Sequence, residues 1–420
     1  MRLIYSLGIR LYLLFLFLAS PFHGKARKFR NGRKGLLKKM SLELSPRRNY
    51  VWFHFASLGE FEQGRPVIEA FKYRFPEKPI LLTFFSPSGY EIRKNYPLAD
   101  HVYYLPADTA SNARQFIELV RPEIAIFTKY EYWFYYFREL HKNHIPLLMI
   151  SAIFRPGQIF FKSYGGFFRR ILSYVDHYFV QDEASAALLE KLDIKKLTVA
   201  GDTRFDRVLS LAENRRELPL IARFASNTLL LVAGSTWLAD EEKLKELSQQ
   251  YPQWKMVIAP HEIDEAHLHS IQKLFPDAVR YSSLSTKSIA EPSQYSIRNM
   301  QYLIIDNIGL LSSLYAYADV AYIGGGFGAG IHNTLEAAAY GLPVIFGPRY
   351  EKFREARDLL SLNAGFSFSG MDELHGIFTT LQSEENRKEA GSKAADYVKN
   401  NAGATEKILS YITQHHQTVR

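Results

Sequence analysis

The chain has 420 residues, more than one hydrophobic core usually serves, so two domains are expected. Its hydrophobic fraction of 47% is that of a globular protein, and the absence of cysteine excludes disulfides, cysteine nucleophiles and thiolate metal sites. The net charge of +9 suggests a nucleic-acid binder only until it is located: residues 1–50 carry twelve Lys and Arg against one acid, Glu43, an excess of +11 that leaves −2 for the other 370 residues.

That excess forms an N-terminal arm. The stretch "LIYSLGIRLYLLFLFLASPF" (3–22) has about the length of a bilayer-spanning helix, interrupted by Arg10. "HGKARKFRNGRKGLLKKM" follows, with eight Lys and Arg and no acid. A cleaved signal peptide ending at "LAS" is the rival reading, but a dense basic run directly after an apolar segment hinders translocation and stays cytoplasmic. The arm therefore reads as an uncleaved anchor, spanning the membrane or lying in its interface. Each basic side chain near anionic lipid contributes about 1 kcal/mol. No stacking aromatics or recognition fold accompany the arm, which argues against nucleic acid as a partner.

From residue 50 apolar strands alternate with helical patterns. The expected strands are "YVWFHFAS", "PILLTFF", "HVYYLP", "EIAIFTKY", "PLLMISAI", "HYFVQD" and "LTVAG", with helices such as "NARQFIELV" and "EASAALLEKL" between them. This is the pattern of a parallel sheet covered on both faces. In "HFASLGEF" (54–61) the first strand ends at a small-residue turn, and Glu60 follows as a helix begins. Ligands bind at that carboxyl edge in open α/β sheets, although a carboxylate is also favoured there by the positive end of a helix.

A polar connector, "DRVLSLAENRRELPLIARFASN", precedes a second set of strands: "TLLLVAGS", "KMVIAP", "QYLIIDN", "DVAYIGGG" and "PVIFGP". The segment from about Met371 is helical, and "GATEKILSYITQHH" is placed to pack back onto the first domain. The expected fold is α/β, with two Rossmann-like domains facing across a cleft. Their expected limits are an anchor and polybasic arm at 1–40, domains at 41–215 and 220–395, and a C-terminal helix at 396–420.

The second half holds the most informative stretch, "DVAYIGGGFGAGIHNTLEAAAYGLPVIFGP" (319–348). A strand runs into Gly324, Gly325 and Gly326, where glycines let backbone approach a ligand, and a helix opening near Asn333 offers free N–H groups to an anion. Asn333 fits an N-cap, and Glu336 in the first turn suits two ribose hydroxyls. "Gly324-x-Gly326-x-x-Ala329" is discounted as a dinucleotide fingerprint, because several strands precede it. The turn at Asn307, Ile308 and Gly309 offers amides to a phosphate, and another strand ends at Pro260 and His261. His267 and His269 are expected on a solvated helix face, and no metal-site spacing is present.

Taken in order, "HFASLGEF", "FFSPSGYE", "YLPAD", "YEYW", "GDTRFD", "AGSTW" and "IGGG…HNTLEAAAYGLPVIFGP" resemble the 3-deoxy-D-manno-octulosonic acid (Kdo) transferases, GT-B glycosyltransferases of lipopolysaccharide assembly. The resemblance covers nearly the whole chain. It implies Glu60 as catalytic base and Arg204, where the family usually has Lys, as stabiliser of the departing phosphate. The family's "Glu-x-Glu-Leu-Trp" reads Lys129-Tyr130-Glu131-Tyr132-Trp133, so either Glu131 compensates for the lost acid or Lys129 acts on an anionic group. The implied nucleotide contacts are Pro260, His261, Ile308, Gly309, Leu310, Thr334, Leu335, Glu336 and Ala337; the glycine loop and helix start add Gly325, Gly326 and Asn333 to the expected CMP site, and Ser88 and Gly89 are expected on the acceptor side. His261 replaces an Arg, Leu310 a Glu, and Trp237 a common His.

The implied reaction is inverting transfer of Kdo from CMP-Kdo, a co-substrate, onto a membrane-embedded lipid A precursor, with no cofactor and no metal. The partners are then CMP-Kdo, that lipid and an anionic membrane surface, with the body on the cytoplasmic side of an inner membrane. A GT-B enzyme with a UDP-sugar donor and an inactive anchored homologue are the alternatives.

Overall fold

The structure, a computed structural model, describes residues 1–287 and 297–415, the side chains of 285–287 excepted. Residues 416–420 of the expected C-terminal helix lie outside the described residues. The chain divides into two compact units, Met1–Arg207 with the chain from Ala402, and Val208–Asn401.

Unit 1 is built on β1 (Tyr50–Phe55), β2 (Ile80–Phe84), β3 (His101–Tyr104), β4 (Pro122–Thr128), β5 (Leu147–Ala152), β6 (His177–Val180) and β7 (Leu197–Val199). All pair in parallel, in the order β3-β2-β1-β4-β5-β6-β7. Every residue of β1, β2, β5 and β6 is buried, because helices cover both faces and no polar alternation is needed. Along β1 the side chains alternate between two cores. Trp52 packs with Phe116, Phe127 and Tyr136, while Val51, Phe53 and Phe55 meet Phe61, Ile68 and Phe71.

The helices of this unit are α1 (Arg2–Ala19), α2 (Gly24–Asn31), α3 (Leu36–Glu43), α4 (Leu58–Arg74), α5 (Pro87–Arg93), α6 (Ala110–Val120), α7 (Phe134–Lys142), α8 (Gly166–Leu172), α9 (Glu183–Glu190) and α10 (Thr203–Glu213), the last running on past Arg207. The C-terminal helix (Ala404–His415) buries Ile408, Leu409 and Ile412 in the same core as Phe53. Asp206 fixes its start, accepting from the Gly403 amide at 2.6 Å and the Thr405 amide at 2.8 Å. The arm is not wholly a solvated basic segment. Phe29, Leu36 and Met40 are buried, and Arg33 donates from Nε to the Leu105 carbonyl at 2.8 Å and from Nη2 to the Phe85 carbonyl at 2.6 Å.

Unit 2 has β8 (Leu230–Thr236), β9 (Lys255–Pro260), β10 (Val279–Arg280), β11 (Tyr302–Ile304), β12 (Val320–Ile323), β13 (Val344–Phe346) and β14 (Gly365–Ser367), all parallel in the order β10-β11-β9-β8-β12-β13-β14. β10 and β14 were not expected; at two and three residues they are too short to show a pattern. The expected polar connector is largely helical, formed by α10 and α11 (Pro219–Ala225), whose Ile221 and Phe224 are buried. The remaining helices are α12 (Leu238–Gln250), α13 (Glu265–Leu274), α14 (Tyr281–Lys287), α15 (Leu311–Leu314), α16 (Leu335–Ala339), α17 (Arg354–Ser361), α18 (Met371–Leu381) and α19 (Glu384–Asn401).

Candidate active site

In unit 1 the strand order reverses between β1 and β4, so their following loops diverge and leave a crevice at the carboxyl edge. Glu60 is half-buried there, in the first turn of α4. Ser57 is the N-cap, and the pair has the spacing of a capping box, yet the Ser57 side chain accepts nothing from the helix. Its hydroxyl donates to the Glu60 carboxylate instead. Gly89, at the start of α5, packs on this turn: a Cβ would come within 2.3 Å of the Phe84 ring and 3.1 Å of the Ser57 carbonyl carbon. Ser88 beside it donates its amide to Ser86 Oγ at 3.3 Å.

Glu131 follows β4 and ends a polar chain that the motifs did not reveal. Trp52 Nε1 donates to Thr83 Oγ1 at 2.8 Å; Thr83 Oγ1 lies 2.8 Å from His54 Nδ1; His54 Nε2 lies 3.2 Å from Glu131 Oε2. Trp133 Nε1 donates to the same oxygen at 2.8 Å. A carboxylate only accepts, so His54 donates from Nε2, and in the neutral ring Nδ1 takes the Thr83 proton. His54 and Thr83 are fully buried partners in the β1–β2 register. A lone polar residue inside each of two apolar strands was the available signal.

Lys129 has φ +58°, a left-handed backbone costing a non-glycine residue about 1–3 kcal/mol, and its amide donates to the Ile150 carbonyl at 3.1 Å. Arg204 opens α10 and is oriented by buried Asp202, which accepts from the Arg204 amide at 2.9 Å and from Nε at 2.8 Å. The preceding Thr203 donates its hydroxyl to the Gln63 carbonyl, tying this start to α4, the helix that holds Glu60.

In unit 2 the reversal falls between β8 and β12. Here the glycines also make close approaches within the protein. A Cβ at Gly325 would lie 2.5 Å from the Gly330 oxygen, one at Gly326 2.6 Å from Gly347 Cα, and one at Gly324 2.3 Å from the Ser235 oxygen. On the side where a side chain would stand, the protein's own loops fill the space. Asp240 joins this loop to α12: its Oδ2 accepts the Trp237 and Gly325 amides, each at 2.9 Å, and its Oδ1 the Tyr322 hydroxyl at 2.8 Å. Burial raises the pKa of this carboxyl above the usual range.

The helix expected to open at Asn333 opens one residue later, with Thr334 as N-cap. Asn333 still serves the turn, its Oδ1 accepting the Leu335 amide at 3.1 Å and its Nδ2 donating to Glu336 Oε1 at 3.0 Å. Leu335 and Ala337 are buried, and the buried Thr334 hydroxyl has no hydrogen-bond partner among the described residues. At the β11 turn Ile308 is fully presented to solvent, Gly309 has φ +86° and Leu310 is buried.

Pro260 ends β9, and the His261 amide donates to the Thr236 carbonyl at 3.0 Å. His261 stacks on His332 (ring centroids 4.2 Å apart) and lies tilted against Trp237 (4.9 Å), while Trp237 Nε1 donates directly to His332 Nε2 at 3.2 Å, so the three rings form a mutually contacting cluster. This cluster was not foreseen, since its three rings come from three separate loops. His267 is not solvated as expected: its Nε2 meets the buried Glu241 carboxylate at 2.9 Å and its Nδ1 the Glu262 carbonyl at 3.0 Å.

Burial and the neighbouring His261 push His332 down to about 4. The folded ring therefore stays neutral where the unfolded one, with an ordinary value near 6.5, takes a proton. Stability from this group is complete above about pH 6.5 and is lost as pH falls towards 4. We expect His332→Phe, which keeps the stack, to flatten the pH dependence of amide-exchange protection in the β8 and β12 strands of unit 2 in that window. The difference should be on the order of 1 kcal/mol, reduced because the ring is partly solvated.

Two doubly wound parallel sheets, each with chemistry-bearing loops at its carboxyl edge, define a GT-B protein. Solved structures agree: UDP-GlcNAc 2-epimerase from Neisseria meningitidis aligns over 87% of this chain and 100% of its own, with TM-score 0.61 and 16% identity. Acinetobacter baumannii MurG aligns over 87% and 99%, with TM-score 0.54 and 13% identity. Within that class the chain is a relative of the Kdo transferases: residues 29–207 match the family model described as 3-deoxy-D-manno-octulosonic-acid transferase (kdotransferase). The 3-deoxy-D-manno-octulosonic acid transferases of Rickettsia felis and Chlamydia trachomatis serovar A are each 27% identical to it over 90% of this chain, covering 82% and 88% of their own lengths. That of Aquifex aeolicus is 26% identical over 79% of this chain and 86% of its own.

Proposed function

We propose that the chain moves Kdo from CMP-Kdo onto a sugar hydroxyl of a lipid A precursor of the lipid IVA type, by one in-line displacement with inversion. The observation that carries this reading is the half-buried Glu60, held by Ser57 at the switch point of unit 1, in a chain whose relatives over nine-tenths of its length are Kdo transferases. Glu60 takes the proton of the attacking hydroxyl as its oxygen bonds the anomeric carbon, and CMP departs with the bonding electron pair as a phosphate monoester. Arg204, set by Asp202, stabilises the charge that develops on that phosphate. Since no diphosphate leaves, the reaction needs no metal to neutralise one.

Glu131, oriented by His54 and Trp133, is the acid that remains where the family has two, and we assign it to the acceptor side with Ser88 and Gly89. The nucleotide belongs to unit 2, between the β11 turn at Ile308–Leu310 and the start of α16 at Thr334–Glu336. An apolar helix over Arg2–Ala19 suits an enzyme whose acceptor is a membrane lipid, with the body on the cytoplasmic side of an inner membrane.

Membranes carrying the protein, mixed with CMP-Kdo and the acceptor, should yield a lipid heavier by one or more Kdo residues in mass spectrometry. CMP should also raise the melting temperature of the protein and UDP should not. Protection by UDP alone would move the donor to the class bound by the epimerase neighbour.

A further inference from the structure

We propose that α1 lies flat in the surface of an anionic bilayer, with one face on unit 1 and the other in lipid, rather than crossing the membrane. By length and composition it passes as a span, with mean hydropathy 1.7 and no residue of its window buried. Its contacts argue otherwise. Tyr5 donates its hydroxyl to Asp108, a buried carboxylate that also accepts the Tyr135 amide (3.1 Å) and the Tyr136 amide (3.1 Å) at the start of α7. The Tyr5 ring sits 5.7 Å from Phe134 and 5.7 Å from Phe167. Two turns further on, Tyr12 stacks on Phe85 with centroids 6.3 Å apart, and at the far end of the helix Arg30 of α2 lies 4.2 Å from the Phe17 ring while donating to Ser20 Oγ at 3.0 Å.

The helix is thus fastened to the globular body at both ends. At 1.5 Å per residue its 18 residues are about 27 Å long, so a span would carry Tyr5 to the far side of the bilayer, away from Asp108. Burial separates the two faces at helical spacing. Tyr5, Ile9, Leu13, Leu16 and Ser20 turn towards the protein, while Leu3, Leu7, Leu11, Leu14, Phe15 and Leu18 form an opposite stripe, each more than half exposed. Arg10 falls on the flank between the faces, at headgroup level for a flat helix but at mid-bilayer for a spanning one. Exposed Lys25, Arg27, Lys28 and Lys34 follow directly, which fits an anionic leaflet as the surface that covers the stripe.

The cysteine-free chain allows a direct test that is independent of which sugar is transferred. Single cysteines at Arg2→Cys, Leu11→Cys and His23→Cys are made in the full chain and reacted with a membrane-impermeant maleimide in sealed inside-out membrane vesicles. Lys388→Cys, exposed on unit 2, reports the fraction of bodies facing out. The flat helix gives labelling of Arg2→Cys and His23→Cys to the same extent as Lys388→Cys, with Leu11→Cys protected until detergent is added. Labelling of Arg2→Cys only after detergent would establish a span and overturn the proposal. Labelling of Leu11→Cys in intact vesicles would overturn it too, since the stripe would then face water.

Discussion

Replacing Glu60 by Gln should lower Kdo transfer by about 10²–10⁴-fold while leaving CMP binding unchanged. The substitution keeps volume and shape, and the amide oxygen still accepts the Ser57 hydroxyl, so the first turn of α4 keeps its geometry. What is lost is only the ability to take a proton in the transition state. Because the loops proposed to hold the nucleotide belong to unit 2 and Glu60 to unit 1, the thermal shift produced by CMP should be the same in both proteins. A variant that turns over within tenfold of the parent would take Glu60 out of the chemistry, and one that loses the CMP shift would make it a binding residue instead.

The sequence made the strands legible wherever β-branched and aromatic residues run together for four or more positions, as in "YVWFHF" and "ILLTF". It failed at β10 and β14, where two or three residues carry no period, and at α11, whose buried Ile221 and Phe224 were outweighed by charged neighbours. At the sites, motifs located backbone turns better than they located side-chain partners. Glu60 in its strand-to-helix turn is a local feature, three residues from the serine that holds it. The chain from Trp52 through Thr83 and His54 to Glu131 joins two strands and the loop after a third, and the cluster of Trp237, His261 and His332 joins three loops, so neither has a spacing in the sequence. Nor did the sequence reveal that one hydrogen each of Gly325, Gly326 and Gly324 faces Gly330, Gly347 and Ser235 of the same unit.

Those glycines also explain why Asp240 should be the residue on which the unit 2 edge most depends. Gly325 needs φ +91° and a close approach to the Gly330–His332 loop, so its amide points inward to the Asp240 carboxylate rather than to water. Asp240→Ala would leave the Gly325 amide and the Tyr322 hydroxyl buried without partners and release the Trp237 amide at the start of α12. At about 1–3 kcal/mol for each unsatisfied buried group, the loss should be roughly 3–5 kcal/mol. Asp240→Asn should cost less: its oxygen still accepts both amides and its NH2 donates to the Tyr322 oxygen, so only the Tyr322 hydroxyl proton loses its acceptor. Removing a carboxyl whose pKa burial has raised also relieves a desolvation cost that grows as pH rises through its titration. Hydrogen exchange separates the two units where a single melting curve would not. In Asp240→Ala, amide protection across β8 and β12 should fall by about 10²–10³-fold while β1 and β4 keep theirs. Equal losses in the Ala and Asn variants would mean that the negative charge, and not the satisfaction of these donors, holds the glycine loop in place.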